Sequence, residues 1–366
     1  MPEVRPGAAQ RSRTSWCPTS SRTSRSRDLR APAARTTCMN RRSFLGTALA
    51  APVALALDPV SSLGATTGGG VVALATADLE SHVVALDITS GRVLKRIRTL
   101  EAPRSIESSP FGHVVVAHTP IGAVSILDAA TLTVRAVVRG LGEPRYTAMH
   151  PAGKLAYVTD SGRHEVVTVD LDRSRIIHRT RVPGPARHVS VGAGTTLWTA
   201  LGSSAARIAV LDLSDPRRPR LVRVFEPPFP AHDVVFAPDG GDRVWVTSGA
   251  RNALALYRIH GGVPRVFATG APPQHVAFSG SRVYVACGRD GTVQRRGLDG
   301  APVGAARVPH GSYNVSFGSF PAFARPAVVT PSLNEGTVTV LSPGGEVRFV
   351  RRVTRSAHDA CIALAG

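Results

Sequence analysis

Seven adjacent pairs of polar residues, about 42 residues apart, hold most of the chemistry-bearing side chains of this chain. Their first members are Arg104, Arg145, Arg187, His232, Gln274, Tyr313 and His358. Their second members are Ser105, Tyr146, His188, Asp233, His275, Asn314 and Asp359. None is aliphatic, although the flanking residues are mostly apolar, and four of the 12 histidines fall among them. Histidine and aspartate suit proton transfer or metal ligation, and arginine suits an anion. The consecutive pairs His232-Asp233 and His358-Asp359 favour a site. A scaffold origin stays open, because residues leading into a strand are polar anyway and a histidine there can hydrogen-bond a neighbouring unit.

No cofactor signature is evident, although these residue types could hold a metal ion. His188, His232, His275 and His358 would hold one if at least three converge within about 2.0–2.2 Å of one point. Glu107 is an isolated acid that could serve as a general base or stand as a solvated carboxylate. There is no G-x-S-x-G elbow, phosphate-binding loop or H-E-x-x-H pair, so no catalytic residue is assigned. The expected ligand-binding set is Arg104, Arg145, Tyr146, Arg187, His188, His232, Asp233, His275, Tyr313, Asn314, His358 and Asp359.

The elements that must position these residues follow from the same repeat. A β-rich segment restarts at Val71, His113, Leu155, Thr196, Arg243, Arg282 and Pro326, reading VVALAT, HVVVAH, LAYVTD, TLWTAL, RVWVTS, RVYVAC and PAVVTP. Each restart is followed by two further strand-like runs and then by a polar pair. Four strands at this period predict an all-β, seven-bladed β-propeller over residues 66–366. Asp87, Asp128, Asp170 and Asp212 each close a second strand. In register they could suggest metal ligands, but an Asx-type turn accounts for them better. The last segment, SAHDACIALAG, aligns with the fourth strands, so residues 357–365 should complete the sheet formed by 71–98 and leave no free edge. The polar pairs would then converge at the funnel of the central pore. Strand alternation suggests that one member of each pair faces the funnel and the other a blade interface or loop.

The strand YVTD, its variants YVAC and WVTS, and the following VVTVD resemble the YVTN-repeat family, whose members include YncE-like propellers. The likeness runs through all seven repeats, with Asp160, Ser248 and Cys287 where the family motif has Asn. It implies a propeller that acts as a binding or interaction module through its funnel, for an anionic or polar ligand or a protein partner. Related propellers include lactonases and a lyase, so an enzyme using the same residues, with or without a metal, is the alternative that the resemblance implies.

Met39 opens MNRRSFLGTALAAPVALAL, which resembles a twin-arginine export leader on Arg41, Arg42, Phe44 and Leu45. The expectation is export across the cytoplasmic membrane, with cleavage after Ala56 or Ala65. The apolar run is too short to span a bilayer, so no transmembrane anchor is expected. Residues 1–38 carry eight Arg against Glu3 and Asp28, a net +6. They read as a disordered extension or as sequence before a true start at Met39. Of the total charge of +19, about +12 lies beyond residue 65 and is scattered. That favours anionic partners and makes nucleic acid a weak candidate. Cys287 and Cys361 fall in strand patterns two blades apart and are expected to be buried free thiols in a monomer.

Overall fold

Each restart segment carries a run of apolar residues on both strand faces rather than strict alternation, so its sheet must be covered on both sides. A computed structural model describes residues 70–192, 195–202, 206–238, 242–320 and 324–366 and shows how that is done. Seven four-stranded antiparallel sheets stand around one axis, and each is a blade of a β-propeller. The restarts begin strands at Gly70–Ala77, His113–His118, Leu155–Asp160, Thr196–Leu201, Arg243–Thr247, Arg282–Cys287 and Ala324–Pro331. Among the described residues the one helical element is a 3₁₀ turn, Thr119–Ile121, and no helix is long and apolar enough to cross a membrane. The proposed leader and its cleavage sites lie outside the described residues.

The ring closes as the register requires. Ala357–Ala365 pairs antiparallel with Gly70–Ala77, from Gly70 opposite Ala365 to Ala77 opposite Ala357. The last strand is therefore the innermost strand of the first blade. Counting from there, the blades comprise residues 70–98 with 357–365, then 103–139, 144–181, 186–225, 234–268, 276–307 and 316–352.

Seven buried clusters hold the ring together, and each lies between two neighbouring blades. Blades 1 and 2 share Val72, Leu74, Val83, Ile106 and Val114, and blades 4 and 5 share Trp198, Ile208, Phe236, Val244 and Tyr257. Tyr157 and Tyr284, at the same position of their blades, donate their hydroxyls to the carbonyls of Pro216 and Pro343 in the next blade, at 2.8 and 3.0 Å. The outermost strands are solvated instead. Val347–Arg352 exposes Arg348, Arg351 and Arg352, which shows where much of the scattered positive charge resides.

The strand-end aspartates act as turn formers. Asp87 accepts the Thr89 and Ser90 N–H groups, Asp128 that of Thr131, Asp170 that of Arg173 and Asp212 that of Ser214. Cys287 and Cys361 are buried and free.

Candidate functional site: the axial pore

The polar pairs sit at or just before the start of the innermost strands, and in blades 1 to 6 the pair occupies a β-bulge. Arg104 and Ser105 together oppose Ala117, because pairing shifts between Pro103–His118 and Ile106–Val116. Arg145 and Tyr146 likewise oppose Thr159, Arg187 and His188 oppose Ala200, and His358 and Asp359 oppose Thr76. In blade 5 the His232 N–H donates to the Thr247 carbonyl, and the Thr247 N–H to that of Asp233. A bulge puts two residues against one and breaks the two-residue alternation. Both columns therefore reach the pore, where alternation had suggested only one would.

The bulge also leaves an extra N–H without a ladder partner. A threonine in the opposite strand satisfies it in three blades. The Thr76, Thr159 and Thr247 hydroxyls accept from Asp359, Tyr146 and Asp233 at 2.9–3.0 Å. Thr76 and Thr247 then donate to the carbonyls of Arg104 and Gln274 in the next blade, at 2.9 and 2.6 Å. The threonine of the YVTD-like repeat thus holds the bulge and ties it to the neighbouring blade.

Two cavities lie along the axis. The outer one, about 570 Å³, is the funnel; Arg104, Tyr146, Arg187, His188, His232, His275, Tyr313, Asn314, His358 and Asp359 line it. The inner one, about 420 Å³, is lined by Ser105, Glu107 and Asp233 among polar groups and by apolar residues such as Phe236, Phe278 and Phe317. Tyr146, His188, His275, Asn314 and Asp359 border both, so the second column forms a floor between them. Arg145 lines neither cavity; its guanidinium meets Glu143 at 3.4 Å. Arg289 joins the funnel from the turn after the strand Arg282–Cys287 of blade 6. Sequence reasoning missed it because Arg289 lies in a turn between strands, outside the columns of polar pairs. The turns holding Gly249 and Leu333 also border the funnel, so the topology was the signal that could have found it.

Three of the four candidate metal-binding histidines meet. His188, His232 and His275, from blades 4, 5 and 6, bring ligand atoms within 4.8 Å of one another. Ring centroids lie 4.3 Å apart for His188–His232, 4.8 Å for His188–His275 and 5.5 Å for His232–His275. Tyr146 stacks on His188 at 3.7 Å. His188 is 2 % exposed, and neither ring nitrogen has a hydrogen-bond partner among the described residues. His358 stands apart from the trio, and its ring meets the Arg104 backbone.

Burial, aided by neighbouring cations, holds three of these rings neutral. His188 lies well below its ordinary 6.5, through burial and then its histidine neighbours. Burial brings His232 down to about 3, with His275 adding to the effect, and His358 to about 3, with Arg104 adding. His275 moves the other way. Burial opposes its charge, but the Asp233 carboxylate, 3.3 Å from Nδ1, outweighs it and raises the ring. Asp233 also accepts the Val234 and Val276 N–H groups and so bridges blades 5 and 6. Asp359 plays the same part between blades 1 and 2, accepting from Ala360 and Ile106. Burial raises Asp359 to about 7.

Glu107 faces the inner cavity, and enclosure by protein, reinforced by Asp359, raises it to about 8. Its side chain is nevertheless open to the channel, and water there moderates that shift. The pore thus combines neutral imidazoles that can donate lone pairs, carboxyls that hold a proton near neutrality, and guanidiniums at the mouth.

No protein-family profile matches the chain, and no curated protein matches it by sequence. Solved structures do match in shape. The chain is similar to Kuenenia stuttgartiensis hydrazine synthase, with a TM-score of 0.64 and 17 % identity over 75 % of this chain and 92 % of that one. A functionally unknown protein from Desulfotomaculum acetoxidans DSM 771 gives a TM-score of 0.66 and 13 % identity over 80 % and 98 % of the two chains. The dihydro-heme d1 dehydrogenase NirN gives 0.57 and 16 %, over 77 % of this chain and 64 % of that one. At these identities the likeness establishes the propeller fold alone.

Proposed function

We propose that this chain is an exported, YncE-like propeller that binds a small multivalent anion, of the carboxylate or phosphate type, in the funnel of its pore. The observation that carries the reading is the charge at the mouth. Arg104, Arg187 and Arg289 all line the funnel cavity, and none has a carboxylate ion pair among the described residues. Elsewhere on the molecule Arg173, Arg179, Arg217, Arg220, Arg258 and Arg355 each meet an acid. Unpaired guanidiniums beside the neutral rings of His188, His232 and His358 form a concave, positively charged bowl, with Tyr313 and Gln274 adding uncharged polar groups. Export rests on the leader's twin arginines.

A stabilising anion should raise the melting temperature saturably. At tenfold excess over Kd the gain is about 1.4 kcal/mol. Pyrophosphate and citrate, at constant ionic strength, are the probes. The shift should vanish in Arg104→Ala/Arg187→Ala. An equal shift in that variant would place anion binding on the general basic surface instead.

One set of contacts favours an enzyme as the second reading. Asp233 orients His275 while Asp359 and Glu107 hold protons near neutrality, a pairing suited to general acid–base work on a bound ligand. Ligand turnover during a binding titration, lost in His275→Gln, would favour it over a binding module.

A further inference from the structure

The funnel floor contains a feature that anion binding does not require, the meeting of three imidazoles from three consecutive blades. We infer that His188, His232 and His275 form a three-histidine site for a first-row transition ion such as Zn2+ or Cu2+, with its remaining coordination position open to the funnel. The inference stands whether or not the mouth binds anions.

The first support is geometric. A tetrahedral ion at about 2.0–2.1 Å from each nitrogen holds its ligands about 3.3 Å apart. The three ligand atoms already lie within 4.8 Å of one another, so closure needs movements of about 1.5 Å or less. Small side-chain rotations supply that, since His232 and His275 are only partly buried and open to the funnel.

The second support is the state of His188. Native proteins rarely bury a polar group without a partner. His188 is 2 % exposed with both ring nitrogens unpartnered among the described residues, and it lines the funnel. The Tyr146 ring stacked on it at 3.7 Å satisfies neither nitrogen. It does restrict the plane of the imidazole, which is what a metal ligand needs and a loosely packed histidine lacks.

The third support is Asp233. Metal-binding histidines commonly pass their second ring N–H to a carboxylate, which fixes the tautomer and aims the other nitrogen at the ion. The Asp233 carboxylate lies 3.3 Å from His275 Nδ1, leaving Nε2 for a ligand. Backbone N–H groups of Val234 and Val276 anchor that carboxylate in turn. The orienting group is therefore built into the junction of two blades.

The donor set narrows the ion. Three imidazoles without a thiolate or a directly facing carboxylate suit Zn2+, Cu2+ or Ni2+ rather than Mg2+ or Ca2+. The open position looks into the cavity of about 570 Å³ that Arg104 and Arg187 rim. Water or one oxygen of an anion could occupy it.

The test uses untagged full-length protein, stripped with a chelator and held in buffer without multivalent anions. Co2+ is the spectroscopic probe and Zn2+ the competitor. The expected result is one equivalent of Co2+ with the visible ligand-field bands of a four-coordinate ion, displaced by Zn2+. His188→Phe keeps a ring against Tyr146 and should abolish uptake, and so should His232→Gln, whose side chain is open to the funnel. Asp233→Asn should weaken affinity about 10- to 100-fold without removing a ligand. His260→Ala, on an exposed ring elsewhere, should leave uptake unchanged. Melting curves confirm which variants fold. Binding of less than half an equivalent to the folded parent would overturn the proposal, as would uptake unchanged in both His188→Phe and His232→Gln. Because no multivalent anion is present, failure here leaves the anion reading intact, and the reverse also holds.

Discussion

Two threonines offer a controlled test of how the bulges are held. Thr247 and Thr168 are both fully buried. The Thr247 hydroxyl accepts the Asp233 N–H at 2.9 Å and donates to the Gln274 carbonyl at 2.6 Å, linking blades 5 and 6. The Thr168 hydroxyl has no partner among the described residues. Valine matches threonine in shape, so each Thr→Val change removes only the hydroxyl. At Thr247 that strands a buried donor and a buried acceptor, at about 1–3 kcal/mol each. Some relaxation lowers the sum, and the expected loss is about 2–4 kcal/mol. At Thr168 the change deletes a polar atom buried without compensation, so stability should hold or rise by up to about 1 kcal/mol. Urea unfolding reads the difference. With a slope of about 3 kcal/mol/M, Thr247→Val should lower the midpoint by about 1 M, and Thr168→Val should not lower it. Equal midpoints for the two variants would refute the role given to the repeat's threonine.

Two further outcomes follow. Deleting residues 357–366 removes the strand that pairs with Gly70–Ala77 and uncovers Val72 and Leu74; the product should aggregate or lose cooperative melting. A full-length-like melt would show the closure to be dispensable. Glu107 is raised from 4.5 to about 8, so the folded state holds its proton more tightly, and stability falls as pH rises through that window. Facing it are Asp359 and Cys361 on the last strand and Asp233 across the pore. Channel water screens the effect, so Glu107→Gln should stabilise the protein by about 1–2 kcal/mol at about pH 9 and by little below about pH 5. Parallel pH–melting curves for parent and variant would contradict the raised proton affinity assigned to Glu107.

Much of the fold was legible because it is written by repetition. Restarts at His113, Leu155, Thr196, Arg243 and Arg282 coincide with strand starts, since an apolar run between turn residues leaves the chain few other options. The turn aspartates were legible for a local reason: their partners lie two or three residues away. The site was legible only in part. Polar residues where apolar ones belong marked the columns, but a bulge is a relation between two strands. One strand's sequence does not show that Arg187 and His188 together face Ala200. The grouping of His188, His232 and His275 follows from their adjacent blades, while His358 sits in blade 1, two blades beyond His275. Arg145 shows the opposite error: its partner Glu143 is two residues upstream, a pairing visible in the sequence and outweighed there by its place in the column.

The claim that the pore is a binding site rather than decorated scaffold is tested most directly at its mouth. Titrating pyrophosphate or citrate at fixed ionic strength into the parent and into Arg104→Ala/Arg187→Ala, with melting temperature as the readout, isolates the funnel from the rest of the basic surface. Saturable stabilisation of the parent that is absent from a folded double variant is the expected result. The same response in both proteins, or none in either, would contradict it.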